Sequence, residues 1–310
     1  MFMIHNNDCL SGLNEIDISI DLTVTSPPYY NVKEYVTYSS YEEYLNILKN
    51  VFTLILEKTK DGRMCCVNLS NIIIARKNRN HESSRIPLAF HFVSLMESIG
   101  WKFIEDIIWI KPEGSSKNRN GGFYQHRQPV AYKPNVINEY ILIFQKPSKK
   151  LIDSIIRAYD AITAESSMVN DGYERSNVWH INPETRIKHP APYPEELVEK
   201  LIRYYSFVGD TVFDPYMGSG TTAVVSKKLG RNCIGFEIHL DYINLAVTRL
   251  NAIENIDHKP ELVIPNIKGA ELRSWLEKKP KRFLLSFCQK RNLNKSQLVS
   301  EVYEKFSLIH

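Results

Sequence analysis

Two abrupt turns, each directly after a strand-like run, constrain this chain more than any other feature. The first is "TVTSPPYYN", residues 23–31, where an apolar β-branched run stops at two consecutive prolines. The second is "TVFDPYMGSGTT", residues 211–222, where a short apolar run gives way to a turn containing Gly218 and Gly220 and then to a helical pattern. Around them, short β-like runs alternate with helical ones. Strand patterns fall on "MFMIHN", "SIDLTVTS", "GRMCCVNLS", "WKFIEDIIWIKP", "NEYILIFQKP" and "RNCIGFEI". Helical spacing falls on "YEEYLNILKNVFTLILEKTK", "IPLAFHFVSLMESIG", "YPEELVEKLIRYYS", "TTAVVSKKLG", "LDYINLAVTRLNAIE" and "SQLVSEVYEKF". This alternation predicts a mainly parallel sheet with helices on both faces. Ligands of such sheets bind beyond the carboxyl ends of the strands, so both turns should open onto one edge. Residues 148–188 give no clear pattern.

The residues of each turn suggest a task. Proline has a fixed φ and no N–H, so Ser26-Pro27-Pro28 makes a stiff turn rich in acceptors and poor in donors. Tyr29 follows with a flat ring. Acceptors for an amine beside a stacking platform suit the exocyclic amino group of a nucleobase. On the residues alone, the stretch reads equally well as a proline-stopped strand with Tyr29 and Tyr30 in the core. In the second turn, glycines permit positive φ and close approach of the backbone to a ligand. Glu237, seventeen residues after Gly220 and at the end of the next strand, stands where an acid can accept both hydroxyls of a ribose. The turn is not a phosphate-binding P-loop, because Gly-Lys-Ser/Thr is absent, nor a full GxGxxG, because Ala223 stands at its last position. The plain alternative is a turn that uses glycine for geometry only.

Charge adds a partner class. The net charge of +4 is uneven. Residues 111–150 carry eight Lys or Arg against two Glu, and residues 268–295 carry nine against two, leaving the remainder acidic. Two basic blocks on an acidic body suggest a polyanion, although solvated basic loops would look the same. There is no run of about eighteen apolar residues for a membrane span and no pattern of a secretory leader at the start. The five cysteines lack metal spacing and suit a reducing, cytoplasmic setting. No metal site is expected.

Several of these segments resemble one family. "VTSPPY" is similar to the catalytic motif of DNA amino-methyltransferases, in the form typical of cytosine-N4-specific enzymes. "VFDPYMGSGTT" resembles the family's S-adenosylmethionine motif, "CIGFEI" the following strand with its ribose-binding acid, and "NNDCL" the segment whose acid contacts the cofactor adenine. "WIKP" and "HPAPYPEELVEKLI" resemble two further family segments. The match spans residues 4–255 in the permuted order of the β class, restriction–modification enzymes among them.

The resemblance implies a circularly permuted, seven-stranded, mostly parallel α/β methyltransferase sheet with one antiparallel strand, its N-terminal strand closing the sheet beside "RNCIGF". It divides the chain into a catalytic half (1–147, with a basic loop at 113–135), a target-recognition region (148–188), a cofactor-binding half (189–255) and a basic extension (256–310). It implies methyl transfer from S-adenosylmethionine to the N4 amine of a flipped-out cytosine in double-stranded DNA, with a restriction endonuclease acting on the same site as the functional partner. Ser26, Pro27, Pro28 and Tyr29 would be catalytic. Asp8, Asp214, Pro215, Gly218, Gly220, Thr221 and Glu237 would hold the cofactor, although an Asp before a loop, as at Asp8, is also a common turn former. Arg119, Gln125, Arg127, Gln128 and Lys133 in the basic loop would reach phosphates or base edges. N6-adenine methylation, more often accompanied by Asp where Ser26 stands, is the alternative. Less favoured are action on RNA or protein amides and an inactive DNA-binding protein.

Overall fold

The structure, a computed structural model, describes residues 1–30, 38–74, 78, 80–81, 83–115, 128–132, 134–187, 192–253, 269–279, 281–285, 287–288 and 293–307. The elements run β1 (Phe2–Asn6), α1 (Cys9–Glu15), β2 (Ile20–Thr25), α2 (Tyr41–Lys58), β3 (Thr59–Leu69), β4 (Ile72–Ile74), β5 (Ser84–Ile86), α3 (Leu88–Ser98), β6 (Lys102–Ile110), β7 (Asn138–Gln145), α4 (Ile152–Ile156), α5 (Ala161–Ser166), β8 (Val178–His180), α6 (Glu195–Tyr205), β9 (Thr211–Asp214), α7 (Thr221–Lys228), β10 (Asn232–Glu237), α8 (Leu240–Asn251), α9 (Gly269–Lys278), α10 (Lys281–Leu285) and α11 (Lys295–Ser307). They form two compact units, residues 1–149 with 171–256, and residues 150–170 with 257–310. The stretch 148–188 is therefore shared between the two units.

The first unit is built on an eight-stranded sheet in the order β1-β10-β9-β2-β3-β7-β6-β8. Among these described strands, β7 runs antiparallel to both of its neighbours and the other pairs are parallel. β1 pairs with β10 in parallel, Phe2 opposite Cys233 through Asn6 opposite Glu237, so the N-terminal strand closes the sheet as expected. The count of eight corrects the expected seven. The extra strand is β8, three residues that pair with β6 at the far edge, Ile108 opposite Val178. So short an edge strand carries no periodicity of its own. It is held by Trp179, which is buried, and by bonds such as Ile108 N to the Asn177 carbonyl at 2.7 Å.

Alternation along the strands distributes apolar side chains to two cores. Cys65, Val67, Leu69, Leu142, Phe144 and Phe213 pack with α1, α2 and α3 on one face. Cys66, Ile141, Ile143, Val212, Leu22 and Val24 pack with α6 on the other. Because both faces are covered, the strands read as nearly continuous apolar runs. α6 starts after Pro194, which suits a helix start because a missing N–H there breaks no bond, and it buries Leu197, Val198, Leu201 and Ile202. α2 is capped by the Ser40 hydroxyl, which accepts from the Glu43 amide at 3.1 Å.

The second unit has its own small core of Leu272, Leu276, Leu284, Leu298, Val299 and Val302. α5 is capped by Asp160, whose carboxylate accepts from the Thr163 amide at 2.9 Å. Glu165 and Lys279 form an ion pair within it.

Candidate active site

The site follows from strand order. β2 and β9 are neighbours, with Leu22 opposite Val212 and Thr23 opposite Phe213. The turns that follow them therefore leave the same edge side by side, although nearly two hundred residues separate them. The next two strands add their own ends, Asn7–Cys9 after β1 and Glu237–His239 at the end of β10. Together these segments line one cavity of about 260 Å³. It brings together Asp8, Ser26, Pro27, Pro28, Tyr29, Pro215, Gly218, Thr221 and Glu237. Asp214 and Gly220 do not line it. Gln128 is exposed on the surface, and Arg119, Gln125, Arg127 and Lys133 lie outside the described residues.

Asp214 sits beneath the cavity, fully buried. Phe213 faces the α1–α3 core, so the next side chain along the strand points to the opposite face, toward α6 and α7. There its carboxylate takes four hydrogen bonds. Thr25 Oγ1 donates at 2.7 Å, Thr222 Oγ1 at 2.6 Å, the Tyr193 hydroxyl at 3.0 Å and the Tyr216 amide at 3.1 Å. Burial pushes its pKa up, while the hydroxyl and amide donors pull it back. These bonds tie the end of β2 to the end of β9. They account for every favourable approach to the carboxylate. The Tyr193 phenol stays a donor, because burial and the neighbouring Asp214 charge push it well above the usual range.

Glu237 is half-buried at the cavity wall. It accepts from the Gly218 amide at 2.9 Å and from the His239 amide at 2.8 Å, one on each oxygen. Each carboxylate oxygen keeps a second acceptor position, which suits a vicinal diol. Asp8 caps α1, its Oδ1 accepting from the amides of Leu10 and Ser11 at 3.0 and 3.2 Å. It is thus a helix cap and a cavity residue at once. Gly220 has φ +79°, and a Cβ there would lie 2.5 Å from that of Ala246. Its smallness lets α8 approach the turn. Arg249 of α8 braces the turn from outside, donating to the Ser219 carbonyl at 2.7 Å and to Thr221 Oγ1 at 3.2 Å.

The lining contains the carboxylates of Asp8 and Glu237 and no Lys or Arg among the described residues. Such a cavity favours a cationic ligand over a phosphate. Cys9 also reaches it, but burial and the adjacent Asp8 charge push its thiol up to about 12, so it is no thiolate nucleophile. Tyr29 is half-buried in the cavity wall, and its hydroxyl donates to Glu139 Oε2 at 3.2 Å. Burial, with the Glu139 charge, pushes this phenol well above its usual range against a smaller opposing hydrogen bond from Ser26. Sequence reasoning overlooked Thr25, Tyr193, Thr222, Arg249 and Glu139. The threonines, placed next to the two turns, and Tyr193, in the segment "HPAPYPEELVEKLI", carried a local signal. Among the described residues no cluster could hold a metal ion and no helix is long and apolar enough to cross a membrane.

A doubly covered, mostly parallel sheet with two turns that line one cavity at its edge, in permuted order, defines the class. The chain belongs to the DNA methylase family of N6/N4 methyltransferases, whose model matches residues 20–248. It is 28% identical over 243 residues to the Type II beta methyltransferase M.BslI of Bacillus sp. (strain NEB-606), an alignment that covers 75% of this chain and 26% of that one. The chain thus spans about a quarter of the length of M.BslI. It is 28% identical over 265 residues to the Type II methyltransferase M.ScaI of Streptomyces caespitosus, covering 81% of each. Among solved structures it resembles a candidate DNA modification methylase of Thermus thermophilus complexed with S-adenosyl-L-methionine. That match has a TM-score of 0.64 and 26% identity and covers 81% of this chain and 94% of the other.

Proposed function

We propose that this DNA methylase moves a methyl group from S-adenosylmethionine to the exocyclic N4 amine of a flipped-out cytosine in double-stranded DNA. The observation that carries the reading is the single cavity shared by the Ser26–Tyr29 turn and the Pro215–Thr221 turn. S-adenosylmethionine supplies an electrophilic methyl on a positively charged sulfur. The cavity fits such a group: its fixed charges are carboxylates, and Glu237 retains acceptor positions for a ribose. In this reading Glu237 holds the ribose hydroxyls and Asp8 the adenine amine. Pro215, Gly218 and Thr221 border the methionine portion, while Asp214 and Gly220 shape the turn from beneath.

A cytosine amine in a duplex is out of reach, so the base must leave the stack, at a cost of a few kcal/mol. Stacking on Tyr29 offsets part of this, about 1–3 kcal/mol. Ser26 Oγ and the Pro27 carbonyl would accept the two amine hydrogens. The amine lone pair is delocalised into the ring, and two fixed acceptors favour a pyramidal nitrogen whose lone pair points outward. Catalysis then rests on orientation and on preset polarity. The "TSPPY" form of the turn supports cytosine over adenine. Residues 148–188 would supply target recognition, with Arg119, Gln125, Arg127, Gln128 and Lys133 sharing the DNA contact. The role would be modification within a restriction–modification system, opposite an endonuclease that cuts the same site.

The test is to incubate the protein with unmethylated genomic DNA and isotopically labelled S-adenosylmethionine, then digest to nucleosides for mass spectrometry. Label in N4-methylcytosine is expected. Label in N6-methyladenine would replace the base while keeping the reaction class. No label in DNA, with S-adenosylmethionine still bound in calorimetry, would overturn the reading.

A further inference from the structure

The antiparallel strand β7 brings its first residues, not its last, to the site edge. Glu139, its second residue, lies opposite Trp109 of β6 and next to the carboxyl end of β3. There it gathers three partners. Tyr29 donates through its hydroxyl to Oε2 at 3.2 Å, and the buried Asn68 donates through Nδ2 to the same oxygen at 2.6 Å. Lys111 pairs with Oε1, and its ammonium sits 4.6 Å from the centre of the Trp109 ring. Neither ion is freely solvated: the Glu139 side chain is 14% exposed and that of Lys111 24%. An ion pair removed from water brings little net stability. Here it fixes an acceptor against the aromatic ring that ends the Ser-Pro-Pro turn and lines the cavity.

We propose that Glu139 is a positioning residue for methyl transfer and acts through the Tyr29 hydroxyl. The inference rests on the reading of Tyr29 as the platform for the extruded base. A phenol free at its tip can swing about two side-chain torsions. One bonded to a charged acceptor is held by a stronger bond than a neutral acceptor would give. Asn68 and Lys111 remove the carboxylate's own freedom, so the ring is set before the base arrives. The negative charge at the phenol hydrogen also makes the ring face more electron-rich, which favours a nitrogen that gains positive charge as it is methylated. The position of the carboxylate follows from topology: a parallel strand in this place would deliver its last residue to the edge and Glu139 to the opposite side.

The test is a double-mutant cycle of Glu139→Met and Tyr29→Phe, read as total label transferred from S-adenosylmethionine to DNA, whichever base receives it. Each single change is expected to lower kcat about tenfold, with the KM for S-adenosylmethionine unchanged. The pair together should be no slower than the slower single variant, because Glu139 acts through the hydroxyl that Tyr29→Phe already removes. Glu139→Gln, which keeps an acceptor for the phenol, should recover most of the rate when Tyr29 is present and make no difference when it is combined with Tyr29→Phe. Thermal melting checks that each variant folds, and Glu139→Gln serves in the cycle if the methionine variant does not. Additive losses of about a hundredfold, or an unchanged kcat in a folded Glu139 variant, would overturn the inference. Wild-type protein that labels no base would overturn the function proposed above, and this inference with it. An active wild type with additive losses would overturn this inference alone.

Discussion

The two ends of the central sheet both bury carboxylates, and they hold them differently. At the carboxyl ends, Asp214 is surrounded by two threonine hydroxyls, a tyrosine hydroxyl and an amide, with no cation among these hydrogen-bond partners. At the amino ends, Asp21 and Asp210 flank Arg63, whose guanidinium lies 3.1 Å from one and 3.2 Å from the other, while Lys60 also reaches Asp21 at 2.7 Å. Opposite charges meet at the amino edge and the structure closes there. Neutral donors hold Asp214 at the carboxyl edge, and the cavity there is bordered by the carboxylates of Asp8 and Glu237. One edge pairs its buried charges, and the other, bordered by carboxylates, keeps an electrostatic bias available to a ligand.

That contrast can be broken from either side. The largest effect is expected at the amino edge. Arg63→Met would remove the guanidinium shared by two buried carboxylates and cost about 3–5 kcal/mol of folding stability in urea titrations, with S-adenosylmethionine affinity of the folded protein unchanged. Loss of that affinity in the folded variant would mean the two edges are not separate. Next comes Ser26→Ala, expected to slow methyl transfer about a hundredfold while leaving melting temperature and cofactor affinity in place. Glu237→Gln should weaken S-adenosylmethionine binding about tenfold, or about 1.4 kcal/mol, in calorimetry, again with little change in melting.

A pH slope tests the amino edge in a separate way. Burial pushes the Asp210 carboxyl from its ordinary 3.8 to about 6, against the opposing pull of Arg63. A raised carboxyl favours the folded state below the ordinary value, and that contribution is lost as pH rises through the folded one. Stability should therefore carry a declining component between about pH 4 and pH 6 that Asp210→Asn removes. Parallel pH profiles for the two proteins in urea would contradict it.

Much of the fold was legible because several strand runs end in a recognisable stop, Pro-Pro after β2, Lys-Pro after β6 and β7, and the glycine turn after β9. The pairing of β1 with β10 and the adjacency of β2 and β9 followed from the permuted order of motifs. What escaped was short or depended on facing. β8 and the β4–β5 hairpin have three-residue strands, too brief for a period to emerge. α4 and α5, of five and six residues, lie in the stretch without a pattern. Asp214 reads as a ligand contact because it adjoins the glycine turn. Strands buried on both faces show no polar–apolar alternation from which its downward direction could be read. Glu139 looks like an ordinary strand residue in "NEYILIFQ". Its importance at the edge appears only once β7 is known to run against its neighbours.

The pairing of β1 with β10 also has a consequence for how the protein is made. Residues 2–6 leave the ribosome before the rest of the sheet, yet their strand partner spans residues 233–237. At about 5–20 residues per second, the first strand waits about 10–50 s for that partner. Asp8 and Glu237, which follow or end those two strands, must likewise wait to line the same cavity. A nascent chain therefore has no complete cavity until its sheet is nearly all synthesised, and capture of a ligand there would mark the end of that interval.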